Sequence, residues 1–368
     1  MISNFVPLTI SEVRRETPDA ISVTLAVPES QRATFDFRPG QHVAVRATLD
    51  GEEVRRTYSI CSGVGAPTLQ IAIKRIPDGR FSAWANATLA PGMTLDVMPP
   101  AGRFILPPSD GIPRHVLAVA AGAGITPILA ILQAALDAEA DTRCTLIYGN
   151  RDLEHSLFRQ VLEDLKDRHL GRLTLFHVLS RGDADDATLL QGRITGEKVI
   201  ALMRQIGPTG QIAHAFLCGP GSLIKDCRDT LLGLGLPRER VHHEFFAPAG
   251  GAARSRAPSL AQAAAAPLPV GPTAADSTEV VIVLDGVRHR LELRRGEPVL
   301  EAALRARLRV PYSCRGGMCC TCRAKIVEGQ ADMLVNYSLE AWEMQKGFTL
   351  TCQAVARSDR LVIDYDQM

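Results

Sequence analysis

Four cysteines near the carboxyl end of the chain have a spacing that suits an iron–sulfur cluster. Cys314, Cys319 and Cys322 form the pattern C-x4-C-x2-C, and 29 residues separate Cys322 from Cys352. This is the plant-type spacing of the four thiolate ligands of a [2Fe–2S] cluster. A short loop that contains glycine can wrap three thiolates around one side and bring backbone amides close to the sulfurs. The spacing therefore predicts that these four cysteines are the metal ligands.

A zinc site or a Rieske centre fits the cysteine pattern less well. A structural zinc site usually draws on two C-x2-C-like pairs, whereas Cys352 stands alone. A Rieske centre needs two histidine ligands, and the cysteine-rich loop has none. Cys320 matches no ligand position, so we expect it to be a small packed or partly exposed residue. The nine cysteines are expected to stay reduced, because no export signal opens the chain.

A second motif, Arg56-Thr57-Tyr58-Ser59, ends a predicted strand and could bind a flavin. At the two-residue period of a strand, Thr57 and Ser59 share one face while Arg56 and Tyr58 share the other. A guanidinium can bind a diphosphate through two hydrogen bonds, and a phenol ring can stack on an isoalloxazine. The motif is weak alone, but Ile73-Lys74 and Gly79-Arg80-Phe81-Ser82 follow nearby. The latter resembles a helix beginning, where free amides bind phosphate.

A glycine turn in the middle of the chain could bind a nucleotide. Gly122-Ala123-Gly124-Ile125-Thr126-Pro127 lies between an apolar run and a helix-like stretch. Thr126 is expected to be the helix N-cap and Pro127 the first helical residue. The motif is not the full G-x-G-x-x-G fingerprint, and an ordinary strand-to-helix turn also uses glycine. The uncharged stretch 116–136 is long enough to cross a bilayer, but the glycines favour strand, turn and helix.

Strand ends further along the chain suggest which nucleotide binds. The predicted strand that ends at Arg151 has no clear Asp or Glu to accept a ribose 2′-hydroxyl. A later strand ends at Ser180-Arg181, and a cation with a hydroxyl suits the 2′-phosphate of NADPH; a solvated surface arginine is the alternative. Cys218 follows an apolar strand, where a nicotinamide ring could lie, although an isolated cysteine is more often a core residue. Glu244 and Phe246 close this domain.

These motifs require several domains to position them, and the 368-residue length allows two or three. Residues 1–108 contain short strands, whereas residues 109–248 alternate apolar strands with helical stretches, expected over 127–139, 153–168 and 222–234. Residues 249–278 are rich in Ala, Pro and Gly, as a flexible linker would be. Residues 279–368 form a compact unit, with a predicted hairpin turn at Asp285-Gly286 and a helix over 299–308 that begins near Pro298.

The charge balance argues against a nucleic-acid partner and against a surface held to a membrane by charge. The chain has 41 Lys and Arg residues against 40 Asp and Glu residues. With no export signal, we expect a cytoplasmic protein. From residue 279 onward there are 13 basic and 12 acidic residues. We therefore expect the tether, rather than charge, to bring the last unit to its electron donor.

Taken together, these residues resemble the ferredoxin–NADP⁺ reductase superfamily extended by a C-terminal plant-type ferredoxin domain. The stretches that support this are FRPGQHVAVRATLDGEEVRRTYSICS, AAGAGITPILAI and LIYGNRD. The resemblance implies an antiparallel β-barrel flavin domain, an α/β parallel-sheet nucleotide-binding domain and an α+β ferredoxin-like (β-grasp) [2Fe–2S] domain. It also implies FAD, NADPH and a [2Fe–2S] cluster as cofactors, and a di-iron oxygenase of a multicomponent monooxygenase as the partner.

The resemblance implies a role for each motif. At the flavin, Arg56 would hold the pyrophosphate, Tyr58 would pack on the ring and Ser59 would bond near N5. Cys218 and Glu244 would flank the nicotinamide, and Phe246 would cover the flavin. We assign the remaining cofactor-binding positions to Thr57, Ile73, Lys74, Gly79, Arg80, Phe81, Ser82, Gly122, Gly124, Thr126, Pro127, Arg151, Ser180 and Arg181. In this superfamily the last aromatic usually ends the chain, whereas Phe246 is followed by the predicted linker.

The three cofactors together predict the order in which electrons pass through the protein. NADPH gives two electrons as a hydride, whereas the cluster takes one electron at a time, and a flavin between them converts one into the other. We therefore expect an electron-transfer reductase that serves an oxygenase. One alternative is a reductase of another aromatic oxygenase, of Rieske or phenol type, with FMN as the alternative flavin. The other is a redox-sensing protein without nicotinamide turnover.

Overall fold

The computed structural model describes residues 5–109, 111–181, 188–205, 212–247 and 277–367. The chain divides into two compact units, one of residues 6–54 and 58–247 and one built on residues 277–367. The predicted linker lies outside the described residues except for Ser277 and Thr278. These two residues already belong to the first strand of the carboxyl-terminal unit, because they pair with Leu293 and Arg294.

An antiparallel sheet forms the first part of the larger unit. Its spatial order is β4-β3-β6-β1-β2-β5, and a bridge between Ile60 and Ile71 joins the end of the first of these strands to the last. This bridge closes the sheet into the predicted barrel, whose interior is filled by alternating apolar side chains. The elements are β1 (Val6–Thr17), β2 (Ala20–Ala26), β3 (His42–Leu49), β4 (Glu52–Ser59), β5 (Thr68–Lys74), α1 (Arg80–Thr88) and β6 (Thr94–Val97).

A parallel sheet with helices follows, as predicted from the change of period. The strand order is β11-β10-β7-β8-β9, and every pair in it is parallel. The elements are β7 (His115–Ala121), α2 (Ile125–Ala138), β8 (Arg143–Asn150), α3 (Arg159–Arg168), β9 (Leu173–Leu179), α4 (Gly196–Met203), β10 (Ile212–Pro220), α5 (Gly221–Gly233) and β11 (Val241–Ala247). The uncharged stretch is thus a strand followed by a helix. Within the described ranges, no helix has the length and apolar character needed to cross a membrane.

Two helix beginnings in this sheet domain differ from the sequence prediction. The helix expected over 153–168 begins only at Arg159, because the Asp152 carboxylate accepts the His155 backbone N–H at 2.9 Å and forms a local turn instead. The second helix begins at Ile125 with Gly124 as N-cap. The Thr126 hydroxyl donates to the Ala123 carbonyl oxygen at 3.0 Å, so Thr126 is not the cap.

The carboxyl-terminal unit combines a mixed five-stranded sheet, in the order β13-β12-β18-β14-β16, with the two-stranded sheet β15-β17. The first hairpin turns at Asp285 (φ 52°) and Gly286 (φ 75°), as a two-residue turn with both residues left-handed requires. Pro298 caps the first helix, which is shorter than the predicted 299–308. The elements are β12 (Ser277–Leu284), β13 (Val287–Arg294), α6 (Val299–Arg305), β14 (Arg323–Glu328), β15 (Ala331–Met333), α7 (Ala341–Gln345), β16 (Phe348–Leu350), β17 (Ala354–Ala356) and β18 (Arg360–Asp364).

Candidate functional site

The carboxyl ends of β10 and β11 bring Cys218 and Glu244 together. The two residues are register partners in the parallel ladder, so their side chains lie side by side on one face of the sheet. The Cys218 side chain is fully buried. Burial raises the pKa of the Cys218 thiol well above its usual value, and the Glu244 carboxylate raises it further. This position therefore holds a neutral thiol rather than a thiolate.

His42, at the start of β3, joins these two residues. Its Nδ1 lies 3.5 Å from Glu244 Oε1, and the two side chains are only 4% and 15% exposed. The other polar atoms, His42 Nε2 and Glu244 Oε2, are buried without a hydrogen-bond partner among the described residues. Because an unsatisfied buried polar atom costs about 1–3 kcal/mol, this arrangement fits a site whose bound ligand supplies the missing hydrogen bonds.

The glycine turn after β7 lies directly against the end of β10. A Cβ atom added to Gly124 would stand 2.2 Å from the Cys218 carbonyl oxygen, so no other residue fits there without a backbone shift. Gly122 has φ 54°, in the left-handed region that favours glycine, and its carbonyl oxygen accepts the Tyr148 hydroxyl at 3.1 Å. This tightly held turn leads directly into α2, and the first N–H of the helix, that of Ile125, already donates to carbonyl oxygens of the turn.

The predicted nucleotide-binding residues Lys74 and Arg151 meet at one carboxylate. Asp19 lies 3.6 Å from the Lys74 ammonium and 3.0 Å from the Arg151 guanidinium. Burial of the Asp19 carboxylate would raise its pKa, but the Thr17 hydroxyl and these two cations outweigh burial and lower the pKa. Asp19 carried no sequence signal, because it stands in an ordinary turn between β1 and β2.

The residues predicted to bind a 2′-phosphate lie at the same carboxyl edge. The Ser180 and Arg181 backbone N–H groups donate to the Asn150 and Arg151 carbonyl oxygens at 2.9 and 2.8 Å. The side chains of Ser180 and Arg181 are exposed, and Asn150 Nδ2 is buried without a hydrogen-bond partner in the described part of the chain. A cation, a hydroxyl and a free amide donor therefore stand within one short stretch of sheet edge.

At the predicted flavin site, α1 begins at Arg80 with Gly79 as its N-cap, as expected. A Cβ on Gly79 would lie 2.4 Å from the Ile76 side chain and 2.5 Å from the Ser82 hydroxyl, so a larger residue would displace both side chains. The Ser82 hydroxyl accepts the Ile76 N–H at 3.2 Å and donates to the Gly79 carbonyl oxygen at 3.1 Å. Arg80 forms ion pairs with Asp50 and Glu52, at 3.4 and 2.6 Å. The helix beginning thus offers backbone amides for a phosphate.

Other predicted flavin and nucleotide residues have mixed surroundings. Ser59 is buried at the end of β4, and the Arg56 guanidinium donates to the Arg55 carbonyl oxygen at 2.7 Å. Ile73 and Phe81 are core side chains of the barrel, so only their backbone can meet a ligand. Thr57 and Tyr58 lie on β4. Thr126 and Pro127 are buried in the first turn of α2, and Phe246 lies on β11 and is 37% exposed.

In the carboxyl-terminal unit the four predicted ligands form two pairs. The Cys319 thiol donates a hydrogen bond to the Cys314 sulfur, which also accepts the Gly316 and Cys319 backbone N–H groups at 3.4 Å. The thiol bond, together with these amides, lowers the pKa of Cys314 to about 5. Cys322 in the same way donates to Cys352 and lowers the pKa of Cys352.

The two pairs of cysteine thiols fit a cluster that contains two iron atoms. No three His, Cys, Asp or Glu side chains within the described ranges converge as a mononuclear metal site would require. Gln353 Nε2 lies 3.6 Å from the Cys352 sulfur and adds a further donor. Sulfurs that already accept N–H bonds fit the thiolate ligands of an iron–sulfur cluster. The extra cysteine, Cys320, is half-buried and lies 3.0 Å from the Ser338 hydroxyl.

Comparison with known proteins agrees with this geometry. Three family models match: an oxidoreductase FAD-binding domain over residues 7–105, an oxidoreductase NAD-binding domain over 118–229 and a 2Fe-2S iron-sulfur cluster binding domain over 282–357. Together these matches define a reductase that binds FAD, a nicotinamide nucleotide and a [2Fe–2S] cluster in one chain.

Two relatives and one solved structure that match nearly the whole chain indicate which group of reductases it belongs to. The chain is 39% identical to one of the subunits of 1,2-phenylacetyl-CoA epoxidase from Escherichia coli, over 99% of both chains. It is 34% identical to the ferredoxin reductase component of 3-ketosteroid-9-alpha-monooxygenase from Rhodococcus rhodochrous, over 99% of this chain and 97% of the other. The solved structure of phthalate dioxygenase reductase matches with a TM-score of 0.59 and 26% identity, over 98% of both chains. The chain belongs to the ferredoxin–NADP⁺ reductase superfamily, among the oxygenase reductases with a carboxyl-terminal [2Fe–2S] domain.

Proposed function

We propose that this chain passes electrons from NADPH to the di-iron oxygenase component of a phenylacetyl-CoA epoxidase. The observation that carries the proposal is the 39% identity to the Escherichia coli epoxidase subunit over 99% of both chains. The two cysteine pairs support it, because they bring together the four cysteine sulfurs that a [2Fe–2S] cluster, a one-electron donor, takes as ligands. When bound, FAD takes two electrons as a hydride and the [2Fe–2S] cluster takes them singly.

The residues at the end of the parallel sheet would orient the nicotinamide. Gly124 permits the turn to approach β10 closely, so a nucleotide bound at the turn would lie near the strand end. The neutral Cys218 thiol adds no charge beside the ring, and its burial excludes water from that side. Glu244, held by His42, presents its second carboxylate oxygen as an acceptor. Such positioning is what shortens the distance between donor and acceptor before hydride transfer.

The preference for NADPH would reside in the exposed strand ends. Ser180 and Arg181 support this, because their backbone N–H groups bond to Asn150 and Arg151, at the end of the neighbouring strand, and their side chains offer a hydroxyl and a cation there. Replacing Arg181 by alanine should raise KM for NADPH at least tenfold while leaving KM for NADH unchanged, because only NADPH carries the 2′-phosphate. Steady-state kinetics with both nucleotides measures this, and an equal change for the two would exclude the assignment.

The acceptor is tested by reconstitution. Under anaerobic stopped-flow conditions, NADPH should bleach the flavin before the cluster, and the reduced protein should then reduce the phenylacetyl-CoA epoxidase oxygenase. The second candidate acceptor is another oxygenase, which the 34% identity to the 3-ketosteroid-9-alpha-monooxygenase reductase favours. Faster reduction of that monooxygenase, or of a Rieske dioxygenase, would replace the proposed acceptor. A chain that oxidises no NADPH with ferricyanide would instead be a redox sensor.

A further inference from the structure

The loop 314–322, which carries three of the predicted cluster ligands, has an unusual backbone conformation. Arg315 (φ 52°), Gly317 (φ 74°) and Cys320 (φ 55°) all lie in the left-handed region. Residues other than glycine rarely adopt this conformation, and a strained backbone persists only where its surroundings hold it. Contacts from outside the loop must therefore keep it in this shape.

The segment 334–340, which joins β15 to α7, packs directly against this loop. The Tyr337 backbone N–H donates to the Gly317 carbonyl oxygen at 3.1 Å. A Cβ atom added to Gly317 would lie 2.9 Å from the Val335 carbonyl oxygen, so the backbones of the loop and of the segment 334–340 are in close contact. This segment is therefore in a position to hold the loop from outside.

Ser338, in the segment 334–340, binds the loop at two points. Its hydroxyl donates to the Gly317 carbonyl oxygen at 3.1 Å, and its oxygen lies 3.0 Å from the Cys320 sulfur. Because a hydroxyl has one hydrogen, which Gly317 accepts, the Cys320 thiol is the donor to Ser338. Gly317 precedes the predicted ligand Cys319 in the chain and Cys320 follows it, so the two bonds hold the loop on both sides of this ligand.

The Asn336 side chain fixes the backbone that carries Ser338. Its Oδ1 accepts the Ser338 and Leu339 backbone N–H groups at 3.1 and 2.8 Å, and its Nδ2 donates to the Leu339 carbonyl oxygen at 2.9 Å. The Leu339 side chain is buried in the core of the carboxyl-terminal unit. The Ser338 hydroxyl therefore meets the loop from a support that is itself held by a side chain and by the core.

We propose that Ser338 is a positioning residue for the [2Fe–2S] cluster. Its two bonds keep Cys319 in place as a ligand, and they give Cys320 a role as a hydrogen-bond donor that keeps its proton and binds no iron. Hydrogen bonds that orient metal ligands from outside change metal affinity by about 10- to 100-fold. This inference deepens the proposed function, on which it rests only in taking the cluster as the bound group.

The test measures how fast EDTA removes iron from the oxidised full-length protein. Ser338→Ala should release iron about tenfold faster than the wild type, whereas Ser338→Thr keeps the hydroxyl and should restore most of the slow release. Cys320→Ala should still bind iron and release it about threefold faster, because Ser338 keeps its bond to Gly317. The double variant Ser338→Ala, Cys320→Ala should be no faster than Ser338→Ala, since both changes remove the same bond.

Ser358→Ala is the matched control in the same unit. The Ser358 hydroxyl also donates one bond and accepts one: it donates to the Arg360 carbonyl oxygen at 2.6 Å and accepts the Gln330 backbone N–H at 2.9 Å. Neither partner belongs to the loop 314–322 or to the segment 334–340. This variant should therefore release iron at the wild-type rate.

Wild-type iron release in Ser338→Ala, or an equal acceleration in Ser358→Ala, would overturn the positioning role. A Cys320→Ala protein that binds no iron would show that Cys320 is a ligand and would overturn it as well. If Ser338→Ala is purified without iron, Ser338→Thr decides: iron in this variant supports the role, and its absence overturns it. The assay uses neither NADPH nor an oxygenase, so these outcomes leave the proposed function intact, and a protein that reduces no oxygenase would leave the role of Ser338 intact.

Discussion

Cys218 and Cys314 are both buried or half-buried cysteines at predicted redox sites, yet their surroundings shift the thiol pKa in opposite directions. Cys218 lies beside the Glu244 carboxylate, and burial with this negative charge raises its pKa. Cys314 accepts hydrogen bonds from the Cys319 thiol and from backbone amides, which lower its pKa to about 5. The first environment preserves a thiol, whereas the second prepares a thiolate.

This difference teaches that hydrogen-bond donors beside a buried cysteine can outweigh the effect of burial on its pKa. A metal ligand must lose its proton, so the loop surrounds Cys314 with donors. A residue that packs beside a nicotinamide needs only shape and neutrality, so the acceptor Glu244 can stand next to Cys218. Three substitutions test the surroundings of Cys314 and Cys218, and we describe them from the largest expected effect to the smallest.

The largest effect is expected from Cys314→Ser. A serine hydroxyl cannot replace the thiolate, so bound iron and labile sulfide should fall at least tenfold and oxygenase reduction should be abolished. Hydride transfer to the flavin should continue at its normal rate, because it takes place in the other unit. Metal analysis and stopped-flow absorbance measure the two quantities. Cys320→Ser is the control and should retain two irons per chain, as expected of a [2Fe–2S] cluster; an equal loss there would show that the ligand set is wrong.

Cys218→Ala should leave the iron content unchanged and slow hydride transfer from NADPH about 30-fold. Loss of the side chain opens space beside the predicted nicotinamide position, and small errors of placement cost up to about 100-fold in rate. Pre-steady-state flavin bleaching measures the effect. The variant Cys218→Ser keeps a neutral group of similar size and should recover most of the rate. Normal bleaching in Cys218→Ala would remove this residue from the site.

The smallest effect is expected from His42→Ala, which leaves the Glu244 carboxylate buried without its partner. We expect a stability loss of about 1–3 kcal/mol and a roughly tenfold lower rate of flavin bleaching by NADPH. His42→Gln can still donate a hydrogen bond to Glu244 and should restore most of the rate. If both variants unfold and react like the wild type, the contact between β3 and β11 has no role in the reaction.

Local signals made much of this architecture predictable from sequence. The spacing of Cys314, Cys319 and Cys322 is a local property, because one loop must wrap around the cluster. The hairpin turn at Asp285 and Gly286 was equally predictable from the sequence, since few residue pairs adopt two consecutive left-handed conformations. The alternation of strands and helices after residue 109 predicted the parallel sheet for the same reason: periodicity reports which face of an element is buried.

Contacts between distant segments were not predictable. His42 and Glu244 are 202 positions apart, and nothing in the strand sequence around His42 shows that the two meet. The N-cap of α2 was assigned to Thr126 because threonine is a good capping residue, whereas the glycine turn continues into the helix and leaves Gly124 as the cap.

Gly124 and the residues predicted to select the nucleotide have very different surroundings. The environment of Gly124 admits no side chain, since even a methyl group would collide with the β10 backbone. The residues that would distinguish one pyridine nucleotide from the other, Ser180 and Arg181, stand at exposed strand ends. Under the proposed assignment, redesign of coenzyme choice would be confined to Ser180 and Arg181 and would leave the glycine turn unchanged.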